Sequence, residues 1–281
     1  MFEHDDHIVY TRYLYNYIEV RQSLFISLLN HDIEETLYWA YELYYSGFKY
    51  QTLEYITDIY LLIYRNDNLF MESNLLNSIE KLKLSDDPLA FGNLFASLCT
   101  RNYDLQKFCK KYLHVDVLQM NKDKQNRLII QLTDEYIKTY ETIEPGMPAY
   151  RVLRNAVKYP LRKNINKLFN ILIPEYDDLY RIFNNHWLYY AYRCPLWKER
   201  IEECNGTIID NCVVFPEEDD EIEKFYEKWG YDPDEQPAIV KQKCIGNTET
   251  LQMNIKDFCK QYHLQIKLKK ILSNVKTHDC T

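Results

Sequence analysis

Residues Asp32–Phe48 read DIEETLYWAYELYYSGF, and this stretch decides the fold class. Asp32 followed three residues later by Glu35 is a helix-start signature: the first carboxylate accepts a backbone N–H that the helix cannot pair, and the second can reach back. Leu37, Ala40, Tyr41 and Tyr44 then recur at steps of three and four, the spacing of one helix face. Gly47 stands where a helix end needs a left-handed residue.

The same grammar continues outward in both directions. Upstream, Leu14, Tyr17, Ile18, Arg21, Leu24, Phe25 and Leu28 form an earlier stripe. Downstream, Leu53, Ile56, Tyr60 and Ile63 mark a third helix, and Leu75, Leu76, Ile79 and Leu82 a fourth. Asp87-Pro88 opens a fifth, with proline in the first turn where its missing N–H costs nothing. Asp104 can cap a short sixth carrying Leu105, Phe108 and Tyr112. Leu128, Leu132, Tyr136 and Tyr140 predict another helix, two more flank Pro160, and Leu179–Tyr192 predicts one continuous helix. The period changes only at Gly206–Phe215, where two β-branched runs surround Asp210-Asn211, a hairpin signal. A basic helical end is expected from about Asn254.

The expected fold is therefore mainly α: a multi-helix bundle or an irregular array of helical pairs, with one small β-hairpin near residues 206–215. No fixed period of 30–45 residues marks a regular solenoid. Four regions are expected: an N-terminal helical region 1–118, a second helical region 119–204, the hairpin, acidic helix and loop 205–240, and a basic C-terminal helical region 241–281.

Two short words recur. LYWAY (37–41) returns as LYYAY (188–192), and LQKFCKKY (105–112) returns as IKDFCKQY (255–262), at offsets of 151 and 150. Either a duplication or two aromatic helix faces accounts for them. Tyrosine occurs 26 times among 281 residues. It suits faces that bury a ring and keep a hydroxyl wet.

Glycine excludes several activities. The six glycines are 47, 92, 146, 206, 230 and 246. No two are close enough for a P-loop, a dinucleotide fingerprint or a nucleophile elbow. No H-E-x-x-H sequence is present, so no enzyme activity and no cofactor are expected. His4 and His7, and Cys259, His263, His278 and Cys280, include ligand types but match no common metal spacing, and no metal is expected. The eight cysteines form no C-x-x-C pair and read as reduced thiols. The opening MFEHDDHIVY has no basic and apolar leader pattern, and no apolar run is long enough to span a bilayer. A cytoplasmic location is expected, in a host cell or a virion if the chain is viral.

The net charge of −8 is uneven. Residues 217–235 hold ten carboxylates against Lys224 and Lys228, whereas 241–276 hold eight lysines against Glu249 and Asp257. Between Ala149 and Leu172 lie Arg151, Arg154, Lys158, Arg162, Lys163 and Lys167 with no acidic residue, interleaved with Tyr150 and Tyr159. Such a stripe can neutralise phosphates while the tyrosines stack bases. It can equally meet the acidic segment near 217–223 or another protein. A second surface is the loop after the acidic helix, with Trp229, Tyr231, Asp232 and Asp234, whose composition suits docking onto another chain or onto its own domain.

Residues His186–Glu203 (HWLYYAYRCPLWKERIEE), with the hairpin and Phe225–Gln236 (FYEKWGYDPDEQ), resemble uncharacterised proteins of nucleocytoplasmic large DNA viruses. The bias toward Tyr, Asn, Ile and Lys is that of AT-rich genomes, such viruses among them. The resemblance covers about 50 residues and implies no catalytic role. Asp32–Phe48 separately resembles the helical collar of clamp-loader proteins over 17 residues, without a preceding nucleotide site. The expected function is a non-enzymatic adaptor or scaffold with a protein partner, in replication, transcription or particle assembly. The alternative is a nucleic-acid-binding accessory factor using the stripe at 151–167.

Overall fold

The computed structural model describes residues 8–120, 129–141, 158–172, 174–216, 220–229, 233, 236–245 and 251–267. Helix α1 (Tyr17–Leu29) opens on Asn16, whose side chain accepts from the N–H groups of Ile18 and Glu19. It is buried on nearly every side, polar residues included. Its serines therefore bond internally: Ser23 Oγ donates to the Glu19 carbonyl at 2.8 Å, and Ser27 Oγ to that of Leu24. Helix α2 (Ile33–Leu43) packs against α1 and starts on Asp32, which accepts from Glu35 N–H at 2.9 Å. The capping signature is thus formed at its aspartate. Glu35's own carboxylate turns elsewhere, as described below.

Gly47, at φ +89°, turns the chain through a π-helical turn (Tyr44–Phe48) into α3 (Lys49–Ile59). A Cβ there would also lie 2.5 Å from Pro195, so the glycine admits a helix from the far part of the sequence. Helices α4 (Glu72–Leu84) and α5 (Pro88–Cys99) form an antiparallel hairpin. Asp87 accepts from Ala90 N–H, and Pro88 takes the first turn. Helix α5 packs on α2, where Gly92 leaves room for the Tyr41 hydroxyl.

Short elements follow: α6 (Gln106–Tyr112), β1 (Val117–Gln119), α7 (Asp134–Lys138), α8 (Tyr176–Asn185), α9 (Trp187–Ala191) and α10 (Pro195–Glu203). Then come β2 (Thr207–Ile209), β3 (Cys212–Val214), α11 (Glu221–Trp229), α12 (Ala238–Cys244), α13 (Ile255–Gln261) and β4 (Leu264–Ile266). The mainly α class with its small hairpin is as the sequence predicts. Strands β2 and β3 pair antiparallel, Ile209 opposite Cys212, and Asp210 and Asn211 both have positive φ (49° and 63°), the signature of a two-residue hairpin turn.

Three expected helices are cut short. The predicted Leu179–Tyr192 helix breaks at His186 (φ −132°, ψ 14°). Of the described residues 129–140 in the helix predicted from Leu128, only Asp134–Lys138 is helical; Leu128 lies outside the described ones. After Pro160 there is a single 3₁₀ turn, Lys163–Ile165; residues 151–157 lie outside the described ones.

Beyond α13 the expected helix becomes β4, which pairs antiparallel with β1, Leu118 opposite Gln265. The two near-copies of the second word therefore fold alike and meet. Each gives a short helix, then a histidine at φ 53° or 52° (His114, His263), then a strand. Phe108 and Phe258, equivalent in the two words, have ring centroids 6.2 Å apart. The first word behaves differently: residues 37–41 are buried within α2, whereas of residues 188–192 only Ala191 is fully buried.

A buried charge layer, an aromatic clamp and a helical groove

Three carboxylates sit inside the helical core, Glu19 on α1 and Glu35 and Glu42 on α2, each 1 % exposed. A buried charge is tolerable only when paired and hydrogen-bonded, and each has its cation. Glu42 meets Arg12 Nε at 2.9 Å and accepts Tyr13 N–H at 3.1 Å. Glu19 meets Lys163 Nζ at 3.2 Å and Asn166 Nδ2 at 2.8 Å. Glu35 accepts Trp39 Nε1–H at 3.1 Å and is held by the Arg162 guanidinium through two nitrogens, Nε at 2.9 Å and Nη2. That bidentate pairing raises the Arg162 pKa above its ordinary value.

This layer takes up part of the basic stripe. Lys163 is buried and also donates to the Ile245 carbonyl, while half-buried Arg162 reaches the buried Glu35 from the edge of the core. Lys158 and Tyr159 reach Glu34 at 3.3 and 3.4 Å at the surface, and the Lys167 side chain is exposed. Tyr150, Arg151 and Arg154 lie outside the described residues. Among the described residues the stripe is thus divided between core and surface. Among those residues, the carboxylate partners of Lys158, Arg162 and Lys163 are Glu34 and Glu35 on α2 and Glu19 on α1; residues 217–219 lie outside the described ones. No motif marks Glu19, Glu35 and Glu42 as ligands for these cations; the only signal is acidic residues on otherwise apolar helices.

The second predicted surface is represented by Trp229; Tyr231, Asp232 and Asp234 lie outside the described residues. Trp229 itself lies against α10. The Arg200 guanidinium lies over its ring at 4.0 Å and over Trp197 at 4.8 Å. Trp197 in turn donates its indole N–H toward the Thr11 and Arg12 carbonyls and packs edge-on against Trp187 at 5.0 Å. Arg200 was not legible as a site residue: inside KERIEE it reads as an ordinary solvated helix charge.

A third feature is a groove of about 610 Å³ between α4 and α5. Leu75 and Leu82 floor it, and Asn74, Ser78, Asn93 and Ser97 are among its lining residues. The chain's own Ile129, Ile130 and Gln131 line it too. Leu132 N–H donates to Asn93 Oδ1 at 2.7 Å, and a Cβ on Gly92 would come within 2.7 Å of the Leu132 side chain. A smaller cavity of about 130 Å³ is lined by Arg12, Tyr13, Tyr38, Thr139, Tyr140 and Lys158. Both of its cations already face carboxylates.

Among the described residues no three His, Cys, Asp or Glu side chains converge as a metal site. Cys259 is buried and His263 exposed; His4, His7, His278 and Cys280 lie outside the described residues. Burial pushes the Cys99 thiol up to about 11 and those of Cys109 and Cys194 up to about 12, so all three stay protonated and poorly nucleophilic at neutral pH. No described helix is long and apolar enough to cross a membrane. Comparison with protein-family models, curated proteins and solved structures gives no match.

Proposed function

We propose that the protein is a non-enzymatic interaction protein, an adaptor or scaffold that holds a segment of a partner polypeptide along the groove between α4 and α5. The observation carrying this reading is that the groove is already lined by a non-helical segment of the chain's own backbone. Residues 129–132 lie against it, gripped by one side-chain amide (Asn93) on a backbone N–H and by one leucine seated over a glycine. Asn74, Ser78 and Ser97 offer further donors and acceptors to a main chain, and Leu75 and Leu82 offer an apolar floor. Lys81, exposed and without an ion pair among the described residues, adds positive charge to the lining. The viral setting belongs to the same proposal and rests on the resemblance of residues 186–236.

The nucleic-acid reading has less support, because Arg162 and Lys163 are engaged by buried carboxylates. The deciding experiment compares the proteins that co-purify with wild type and with Ser78→Trp, a substitution at an exposed position that fills the groove. A stoichiometric partner kept by wild type and lost by the variant is expected. A partner retained equally by both would remove the groove from the proposal. Salt-sensitive oligonucleotide binding, abolished by Lys158→Glu with Lys167→Glu, would replace it with nucleic-acid binding.

A further inference from the structure

Arg200 is a clustered cation that meets no carboxylate among the described residues. Arg12, Lys158, Arg162 and Lys163 each have a carboxylate within 3.3 Å. Arg200 has none among the described residues. It is held instead between two indole faces, Trp197 of its own helix and Trp229 at the end of α11. Aromatic faces stabilise a guanidinium through their quadrupole and grip its flat sides, but they leave its in-plane N–H donors unspent. A second polar group in the clamp also lacks a partner: Trp229 Nε1 is buried with no acceptor among the described residues. Burial pulls the Arg200 pKa down to about 10, in keeping with a cation that has no carboxylate against it among the described residues.

We propose that the Arg200 clamp is a binding site for a single carboxylate, taken edge-on by the guanidinium between Trp197 and Trp229. A flat slot favours a flat anion, and arginine presents paired parallel donors that match the two oxygens of a carboxylate. Local charge points the same way. Arg12 is neutralised by Glu42, leaving one positive charge at the clamp, which balances a monoanion. A phosphate dianion would remain undercompensated, with Glu199 next to Arg200 in the sequence. The site is separate from the α4–α5 groove and does not depend on what that groove binds.

The four tryptophans are 39, 187, 197 and 229, so two of them report on the clamp. The experiment titrates the full-length protein with acetate and with the blocked peptide acetyl-Gly-Glu-Gly-amide, following indole fluorescence. Chloride and inorganic phosphate at matched ionic strength serve as comparisons. A saturable change with either carboxylate, about tenfold weaker in Arg200→Lys and absent in Arg200→Gln, is expected. Trp229→Phe, which keeps a ring under the cation but removes the indole N–H, should weaken binding while leaving the far-ultraviolet circular dichroism unchanged. It serves as the informative variant if Arg200→Gln fails to fold. Binding by acetate alone identifies a free acid, and binding by the peptide an acidic side chain; both support the site. A response no larger than that to chloride, or tighter binding of phosphate, overturns it. So does carboxylate binding seen only after Asp232→Asn with Asp234→Asn, since the chain's own acids would then be the occupants.

Discussion

Arg12 and Arg200 both stack on aromatic rings, and they have opposite electrostatic settings. Arg12 lies over Tyr13 and Tyr45 and meets Glu42. Arg200 lies over Trp197 and Trp229 and meets no carboxylate among the described residues. Helices α1 and α2 match each of their buried carboxylates with a cation; the C-terminal aromatic cluster holds a cation with no carboxylate among the described residues. Burial alone therefore does not assign a role. A paired internal charge holds the fold in one arrangement, while an unpaired one is a group the fold tolerates at a cost.

The largest effect is expected from making Arg12 resemble Arg200. Glu42→Ala leaves a buried guanidinium uncompensated and Tyr13 N–H without its acceptor. A loss of about 3–5 kcal/mol in urea unfolding is expected. A loss below about 1 kcal/mol would mean that the layer is not what fixes α2. Next in size is Gly92→Ala, whose Cβ would lie 2.0 Å from Tyr41 Oη beneath Leu132; overpacking there should cost about 1–3 kcal/mol, read as a lower melting temperature. Arg200→Met is the counterpart of the first change. It removes an unpaired charge and keeps an apolar stem between the indoles, so the change should stay within about 1 kcal/mol. A cost as large as that of Glu42→Ala would erase the distinction drawn between the two arginines.

Smaller still is the surface pair Lys158–Glu34, where both side chains are about half exposed. A double-mutant cycle should return about 0.2–1 kcal/mol, fading with salt. The last is a pH effect. His31 Nδ1 lies 2.6 Å from the Cys99 carbonyl, which makes it the donor, and the ring stacks on Tyr103. Burial lowers its pKa below 6.5. The unfolded chain therefore takes up this proton first as pH falls below 6.5, and the stability contributed by neutral His31 is lost on the way down. His31→Gln should flatten that part of the stability curve; an unchanged slope would assign it to other groups.

Much of the fold was legible because its signals are local. Asp32 and Asp87 cap the helices they announce, Gly47 adopts the left-handed turn, and Asp210-Asn211 makes the hairpin. The misses are non-local. Nothing within three-residue segments such as Val117–Gln119 and Leu264–Ile266 tells that they will pair, and the period that predicts helices around 128–140 and 162–172 cannot foresee chain laid over a groove or drawn toward buried carboxylates. Glu35 shows the limit most plainly. Its backbone N–H is capped by Asp32 as the motif predicts, yet its side chain leaves the box open and bonds Arg162, 127 residues away. Arg200 was hidden for the same reason, since one of its two indoles comes from another helix.

The β1–β4 ladder has a consequence for how the protein is made. Strand β1 waits for a partner that emerges from the ribosome about 145 residues later, and Glu19 and Glu35 wait almost as long for Lys163 and Arg162. Contacts of such separation close late and slowly. The N-terminal helices can coil as they are synthesised, but the nascent chain carries an open strand edge or unmatched internal acids for stretches of about half its length. That interval is when it most needs shielding from its neighbours.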